Sequence, residues 1–317
     1  MIKPSANSMI ELVRLHRFFG KTKAVSDISF TVPRGQVFGY IGPNGAGKTT
    51  SMRILSTLDL PTYGDARVDG FSVITDPDRV RKRLGFMPDY FGTYPNVNCY
   101  EYLDFYARAY GLMGAERQRA LRHTMSFTQL DRLAHKPIRG LSKGMKQRLC
   151  LGRSMIHDPF VMILDEPAAG LDPRARIELR EMIRQLATGE GKTILISSHI
   201  LTELAEMCDV VGIIEKEELL ATGSVDDIQQ QAGGGREVVV RALSDLPKIA
   251  AWLRESDGIS EVKVDDDAAR FAHAGDRHHE AQILRALIEE GFEVASFGSE
   301  ERSLEDVFMN VTKGIVQ

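Results

Sequence analysis

The chain has 317 residues, 43% hydrophobic and 26% charged, with a formal net charge of −4. That length is comfortable for two domains, and the mild acidity excludes the broadly basic surface of a general nucleic-acid binder, so no nucleic-acid partner is expected. No apolar run reaches the ~20 residues that span a bilayer, residues 1–9 lack a signal-peptide core, and Cys99, Cys150 and Cys208 form no CxxC pair and read as free thiols of a reducing compartment.

In chain order, residues 9–15 and 25–32 alternate apolar and polar side chains, as half-exposed antiparallel strands do. Between them, Phe18 and Phe19 admit two readings: a hydrophobic plug between strands, or an aromatic stacked on a nucleotide base. The apolar run 36–41 then leads into Gly42-Pro43-Asn44-Gly45-Ala46-Gly47-Lys48-Thr49-Thr50, followed by helix-compatible residues 51–58. Strand, glycine loop and helix in that order are the context of a phosphate-binding P-loop. Gly42, Gly45 and Gly47 are expected to take φ > 0 and turn backbone N–H groups toward an anion. Lys48 is expected to reach the terminal phosphates, Thr49 to offer a hydroxyl to Mg²⁺, and the helix starting near Lys48 to add its dipole. The competing reading is a glycine turn that binds nothing.

A short strand is predicted over 66–68, and a helix over 76–84 with Asp76 as N-cap and Pro77 at its first position. A strand over 85–88 and an aromatic-rich loop over 89–95 precede helices over 99–110 and 115–127. In the first of these, Tyr102, Leu103, Phe105 and Tyr106 read as one packed face. Leu141-Ser142-Lys143-Gly144-Met145 lies where a loop becomes a helix running to 157, with Ser142 placed to cap it. The apolar residues 160–164 suit a strand buried on both faces, ending at Asp165-Glu166, where open α/β sheets place their ligands. A helix over 174–186, a buried strand over 193–197 and His199 follow, then a strand pair over 210–214 and 218–221. Gly233-Gly234-Gly235 divides the chain into domains 1–232 and 233–317. Beyond it, the order β-α-β-β-α-β over 237–297 predicts a ferredoxin-like α+β domain, closed by a helix over 304–311. His278-His279 and Asp265-Asp266-Asp267 read as solvated surface.

Taken in order, the P-loop, Leu141-Ser142-x-Gly144, the strand ending in Asp165-Glu166, and His199 resemble the nucleotide-binding domain of an ATP-binding cassette (ABC) protein over roughly residues 9–225. The resemblance implies an α/β P-loop NTPase domain with a mixed central sheet, an antiparallel β subdomain and a helical subdomain. It implies ATP and Mg²⁺ as cofactors and ATP hydrolysis as the reaction. Residues Gly42 through Thr50 correspond to the Walker A loop, and Phe19 to the aromatic that stacks on adenine. Asp165 would hold Mg²⁺ through water, Glu166 would polarise the attacking water, and His199 would contact the γ-phosphate. Ala169-Gly170-Leu171-Asp172 resembles the D-loop. Ser142 and the Gly144 amide would bind the γ-phosphate of a second copy, giving a head-to-tail dimer with two ATP molecules at its interface.

The sequence departs from the family pattern at three places. Lys143 replaces a glycine and Met145 a glutamine in the signature, and Asp89 replaces a glutamine that senses Mg²⁺ and the membrane partner. Asp89 still offers Mg²⁺ an oxygen, on a shorter and charged side chain. One cassette without a membrane span implies separate permease subunits, gripped by the helical segment 90–127, with this chain cytoplasmic and peripheral on the inner face of the membrane. The C-terminal domain and Lys143-Gly144-Met145 resemble the ATPase subunits of ABC-2 type exporters. Two other classes compete with this reading. A soluble ABC ATPase acting on ribosomes or DNA is opposed by the single cassette and by the absence of a heptad run in the ~90 residues between Lys48 and Leu141. A regulatory switch without turnover is suggested by Asp89 and Lys143 and opposed by Glu166 and His199.

Overall fold

The computed structural model describes residues 7–90, 92, 94, 96–200, 204, 207–225, 227–228, 236–243, 245–265, 267–273 and 275–300. The chain divides into two compact units, Met1–Val225 and Asp226–Gln317. The glycine triplet 233–235 and the helix predicted over 304–311 lie outside the described residues, as do three residues of the aromatic-rich loop.

The first unit begins with β1 (Ser8–Phe19), β2 (Thr22–Pro33), β3 (Val37–Ile41), α1 (Lys48–Leu55), β4 (Tyr63–Val68), β5 (Phe71–Ser72), α2 (Pro77–Arg83) and β6 (Leu84–Met87). It continues with α3 (Cys99–Ala109), α4 (Gly114–Phe127), α5 (Lys143–Met155), β7 (Val161–Leu164), α6 (Pro173–Thr188), β8 (Thr193–Ser198), β9 (Val210–Glu215) and β10 (Glu218–Ser224). Two sheets result. One is antiparallel, in the order β2-β1-β4-β5, and the other is a mixed sheet in the order β10-β9-β3-β8-β7-β6. In the mixed sheet only β10 runs antiparallel to its neighbour. Every residue of β3, β7 and β8 is buried, as their continuous apolar runs require of strands covered on both faces. Phe30 of β2 stacks on Phe38 of β3 with ring centroids 4.7 Å apart, sealing the space between the two sheets.

The helices start where their caps dictate. Asn98 and Glu101 form a reciprocal capping box on α3, Ser142 accepts the Met145 N–H on α5, and Asp172 accepts the Ala175 N–H on α6. Asp76 occupies the N-cap position of α2 but does not cap it. Its carboxylate instead accepts the Thr75 hydroxyl at 2.8 Å, leaving Pro77 as the start signal. α1 stops at Leu55, short of the expected 58, because Thr57 turns the chain at φ 58°.

α3, α4 and α5 enclose a separate core around Tyr102, Leu103, Leu121 and Leu149. Phe105 is not part of it. On a helix of 3.6 residues per turn it lies well round from the face shared by Tyr102, Leu103 and Ala107, and it is exposed. The C-terminal half of α5 and the turn that follows it grip β6 directly. Arg153 donates to the Phe86 carbonyl at 3.3 Å, His157 donates to the Leu84 carbonyl at 3.1 Å, and a side chain on Gly85 would collide with the Ser154 carbonyl. Tyr110, at the C-cap of α3, stacks on His157 with centroids 3.6 Å apart.

The second unit comprises β11 (Arg236–Ala242), α7 (Leu246–Glu255), β12 (Ile259–Val264), β13 (Ala269–His273), α8 (Arg277–Glu289) and β14 (Val294–Glu300). Its sheet is antiparallel in the order β12-β13-β11-β14, the topology of the ferredoxin-like split βαβ. Val238, Val240, Ile249, Leu253, Phe271 and Leu287 form its core. Asp265 and Asp267 lie near Arg270 and Arg241, and His278 is exposed beside the α8 cap residue Asp276. The His279 ring does not follow it outward and lies 5.5 Å from that of buried His273.

Candidate active site

β3 ends at Ile41 and α1 starts at Lys48, so residues 42–47 form the turn between a buried strand and a helix N-terminus. The three glycines of this loop are required for different reasons. Gly45 and Gly47 adopt φ of 86° and 101°, which L side chains rarely take. Gly42 does not have positive φ. A Cβ there would lie 2.2 Å from the Ile214 carbonyl oxygen on β9, so it is glycine because two backbones meet. Gly47 also faces the Ala24 carbonyl, 2.4 Å from where its Cβ would be, which fixes the loop against β2. Pro43 and Asn44 are exposed, and Ala46 is buried. As N-cap of α1, Gly47 contributes no side-chain acceptor, so the first-turn N–H groups carry no side-chain cap.

Lys48 folds back over the loop. Its ammonium is buried and donates to the Gly42 carbonyl at 2.6 Å and the Pro43 carbonyl at 3.1 Å, and it lies 3.7 Å from Glu166 Oε1. Burial pulls its pKa down, and the charges of Glu166 and Asp165 pull it back up.

Asp165 and Glu166 extend from the end of β7, with Ser197 and His199 alongside them at the end of β8. Asp165 is 1% exposed, and its Oδ1 accepts the Ser197 hydroxyl at 2.7 Å. Its Oδ2 is buried and has no hydrogen-bond partner. Burial raises the Asp165 pKa, Ser197 and Thr49 lower it, and Asp89 and Glu166 push it up again. Thr49 therefore acts on this carboxylate, though not within hydrogen-bond geometry of Oδ2. Glu166 takes φ 48°, unusual for a side chain of its size, and donates its N–H to the Ser197 hydroxyl at 2.9 Å. Its Oε2 meets His199 Nδ1 at 2.8 Å, and its Oε1 is buried without a hydrogen-bond partner. Asp89, just beyond β6, is exposed and accepts the Tyr90 N–H at 2.7 Å. Thr50 is half-buried in the first turn of α1.

Lys48, Thr49, Asp89, Asp165, Glu166 and His199 thus converge at the C-terminal edge of the mixed sheet. Ser142 and Gly144 do not join them. Among the described residues no hydrogen bond or ion pair connects 141–145 to the P-loop, and Gly144 instead packs on Ala175 of α6. Lys143 reaches over Gly170, whose missing side chain leaves room for the ammonium. Phe19 sits at the turn end of the β1–β2 hairpin, 49% exposed, with the Arg17 guanidinium 4.4 Å from its ring centroid, so it does not plug the sheets. Phe18 packs edge-on against His16 and Tyr63. Ser197 escaped the sequence reading. Its signal was a hydroxyl two residues before His199, at the end of a strand adjacent to the one bearing Asp165.

Comparison with known proteins identifies the chain. A family described as "ABC transporter" matches residues 25–169, and one described as "ATP-binding protein DrrA1-3-like, C-terminal domain" matches 223–312. An uncharacterized ABC transporter ATP-binding protein of Bacillus subtilis is 32% identical over 96% of this chain and 99% of its own length. The chain belongs to the ABC transporter ATP-binding proteins. A daunorubicin resistance ATP-binding protein of Streptomyces coeruleorubidus is 33% identical over 97% of this chain and 96% of that protein. A bacitracin transport ATP-binding protein of Bacillus licheniformis is 31% identical over 97% and 98%. Among solved structures, an ATP-binding subunit of an ABC transporter is 31% identical, with a TM-score of 0.65, covering 72% of this chain and 94% of that one. A dimeric ATP-binding cassette bound to ADP and Pi, at 22% identity and a TM-score of 0.62, shares the fold of 68% of the chain. The first unit of this ABC protein is accordingly a nucleotide-binding ATPase. No helix among the described residues is long and apolar enough to cross a membrane.

Proposed function

We propose that this ABC protein is the ATP-hydrolysing subunit of an ABC-2 type exporter, working through a separate membrane permease on the cytoplasmic face of the membrane. The observation that carries the catalytic part is the chain of contacts Lys48–Glu166–His199 at the mouth of the P-loop. The transport part is supported by relatives named for bacitracin transport and daunorubicin resistance, each matched along nearly its whole length. In this reading residues 1–232 bind ATP, and residues 233–317 form an accessory domain. Relatives named for transport, export and drug resistance do not favour a ribosomal or DNA-directed role.

Hydrolysis needs positioning and charge neutralisation rather than covalent catalysis. The P-loop amides of Gly42 through Thr50 and the Lys48 ammonium cradle the phosphates, and Phe19 stacks on the adenine. Glu166 orients the attacking water, held in place by His199 on one oxygen and Lys48 on the other. Mg²⁺ suits these residues. Asp165 Oδ2 is a buried oxygen without a partner, the Thr49 hydroxyl and the Asp89 carboxylate both act on Asp165, and Mg²⁺ keeps waters and phosphate oxygens as most of its ligands. When bound, the ion neutralises charge on the β- and γ-phosphates; Thr49, Asp165 and Asp89 would hold it. Ser142 and Gly144, unconnected to their own P-loop, would meet the γ-phosphate of a second copy in a head-to-tail dimer.

The test is Glu166→Gln. ATP turnover is expected to fall about 100-fold or more, while an ATP-bound dimer accumulates in light scattering. Undiminished turnover would overturn the assignment, and failure to co-purify with any membrane protein from solubilised membranes would overturn the transport reading.

A further inference from the structure

Ser197 binds both carboxylate residues of the site at once, and the number of protons on a hydroxyl fixes how. Its oxygen accepts the Glu166 N–H at 2.9 Å, so its single proton is left for Asp165 Oδ1 at 2.7 Å. Oδ1 is thereby occupied, and the unpartnered lone pairs of Asp165 are concentrated on buried Oδ2. The same hydroxyl anchors Glu166 at the one point where its backbone takes φ 48°. Without that bond a half-buried N–H would lose its acceptor, and the turn presenting the Glu166 carboxylate would lose its tether. Ser197 itself, the next-to-last residue of β8, is fully buried and closed to bulk solvent.

We infer that Ser197 is a positioning residue for ATP hydrolysis. One hydroxyl turns Asp165 Oδ2 toward the cation and holds Glu166 in its left-handed conformation. This rests on the reading of Asp165 and Glu166 given above. A residue in such a supporting shell is expected to change metal affinity or activity by about 10- to 100-fold.

The experiment compares the full-length wild type with Ser197→Ala, Ser197→Thr and Ser197→Cys. Ser154→Ala serves as a control, because its buried hydroxyl binds the Leu151 carbonyl and no carboxylate. Two readouts are taken: steady-state ATPase, separating kcat from KM, and Mn²⁺ affinity by electron paramagnetic resonance in the presence of ADP. Ser197→Ala is expected to lose about 30-fold in kcat with little change in KM for ATP, and to bind Mn²⁺ about 10-fold more weakly. Ser197→Thr, which keeps the hydroxyl, should recover most of both, and Ser154→Ala should match the wild type in both. Should Ser197→Ala not fold, Ser197→Cys, a weaker hydrogen-bonder of similar shape, carries the same direction of change. Wild-type kcat and Mn²⁺ affinity in the Ala or Cys variant would overturn the inference and leave the ATPase reading intact. Full turnover in Glu166→Gln would instead overturn the reading on which it rests.

Discussion

Replacing each P-loop glycine by alanine should produce three unequal effects, because the three positions are glycine for three reasons. At Gly45 nothing lies within 4 Å of a new Cβ, so the cost is the left-handed backbone alone, about 1–2 kcal/mol. At Gly42 the backbone angle is permissive, but the methyl would sit 2.2 Å from the Ile214 carbonyl, where real Cβ contacts stay beyond 3.0 Å. Either the loop or β9 must move by close to 1 Å, straining the ladder in which Ile41 faces Ile213, at about 3 kcal/mol. Gly47 combines both problems, φ of 101° and the Ala24 carbonyl at 2.4 Å, and should cost the most, about 4 kcal/mol. The assay is urea unfolding followed by far-UV circular dichroism, with nucleotide affinity measured in parallel. The single tryptophan, Trp252, lies in the second unit, so its fluorescence should report an unchanged transition and serve as an internal reference. Equal losses at all three positions, or a Gly42→Ala protein as stable as wild type, would refute this account.

Three further outcomes follow from the site and its surroundings. Burial depresses the His157 pKa to about 4, below its ordinary 6.5, so the folded state resists a proton that the unfolded chain accepts. His157 therefore supports stability fully above pH 6.5 and loses that support as pH falls from 6.5 through 4, on the order of 2 kcal/mol, and His157→Phe should flatten the acid limb of calorimetric stability over that window. His199→Ala frees Glu166 Oε2 and should lower kcat about 100-fold with a small change in KM; a KM effect alone would count against its assigned role. Lys143→Gly removes an exposed ammonium next to the signature and should lower kcat/KM about 10-fold at low salt, with a smaller effect at high salt; no change at either salt level would assign Lys143 no part in the reaction.

The residues that sequence alone made legible share one property. Lys48, Asp165, Glu166 and His199 each follow a continuous apolar run, and such runs become buried strands whose C-terminal ends collect at one edge of a sheet. Local order along the chain was enough to place them at that edge. What stayed hidden depends on register between elements distant in sequence. Ser197 acquires meaning only because β8 lies beside β7, with Leu164 opposite Ile196. Gly42 owes its identity to a carbonyl 172 residues away, and the glycine-for-φ rule supplied the wrong reason. Phe105 looked like core because helical spacing defines a stripe but not which side of it a neighbouring helix will cover.

The grip of α5 on β6 has a mechanical meaning. Arg153 and His157 bind two carbonyls of the strand, and at Gly85 strand and helix touch backbone to backbone, so the two elements cannot slide past one another without breaking three contacts. All three lie at or just beyond the C-terminal end of a helix whose 13 residues extend about 20 Å. β6 therefore acts as the short arm of a lever and α5 as the long one. A tilt of about 5° at the strand that leads to Asp89 sweeps Ser142, at the far tip, through nearly 2 Å. That distance is more than half the length of a hydrogen bond, so a displacement too small to disturb the sheet is enough to bring the tip into reach of a phosphate or to withdraw it.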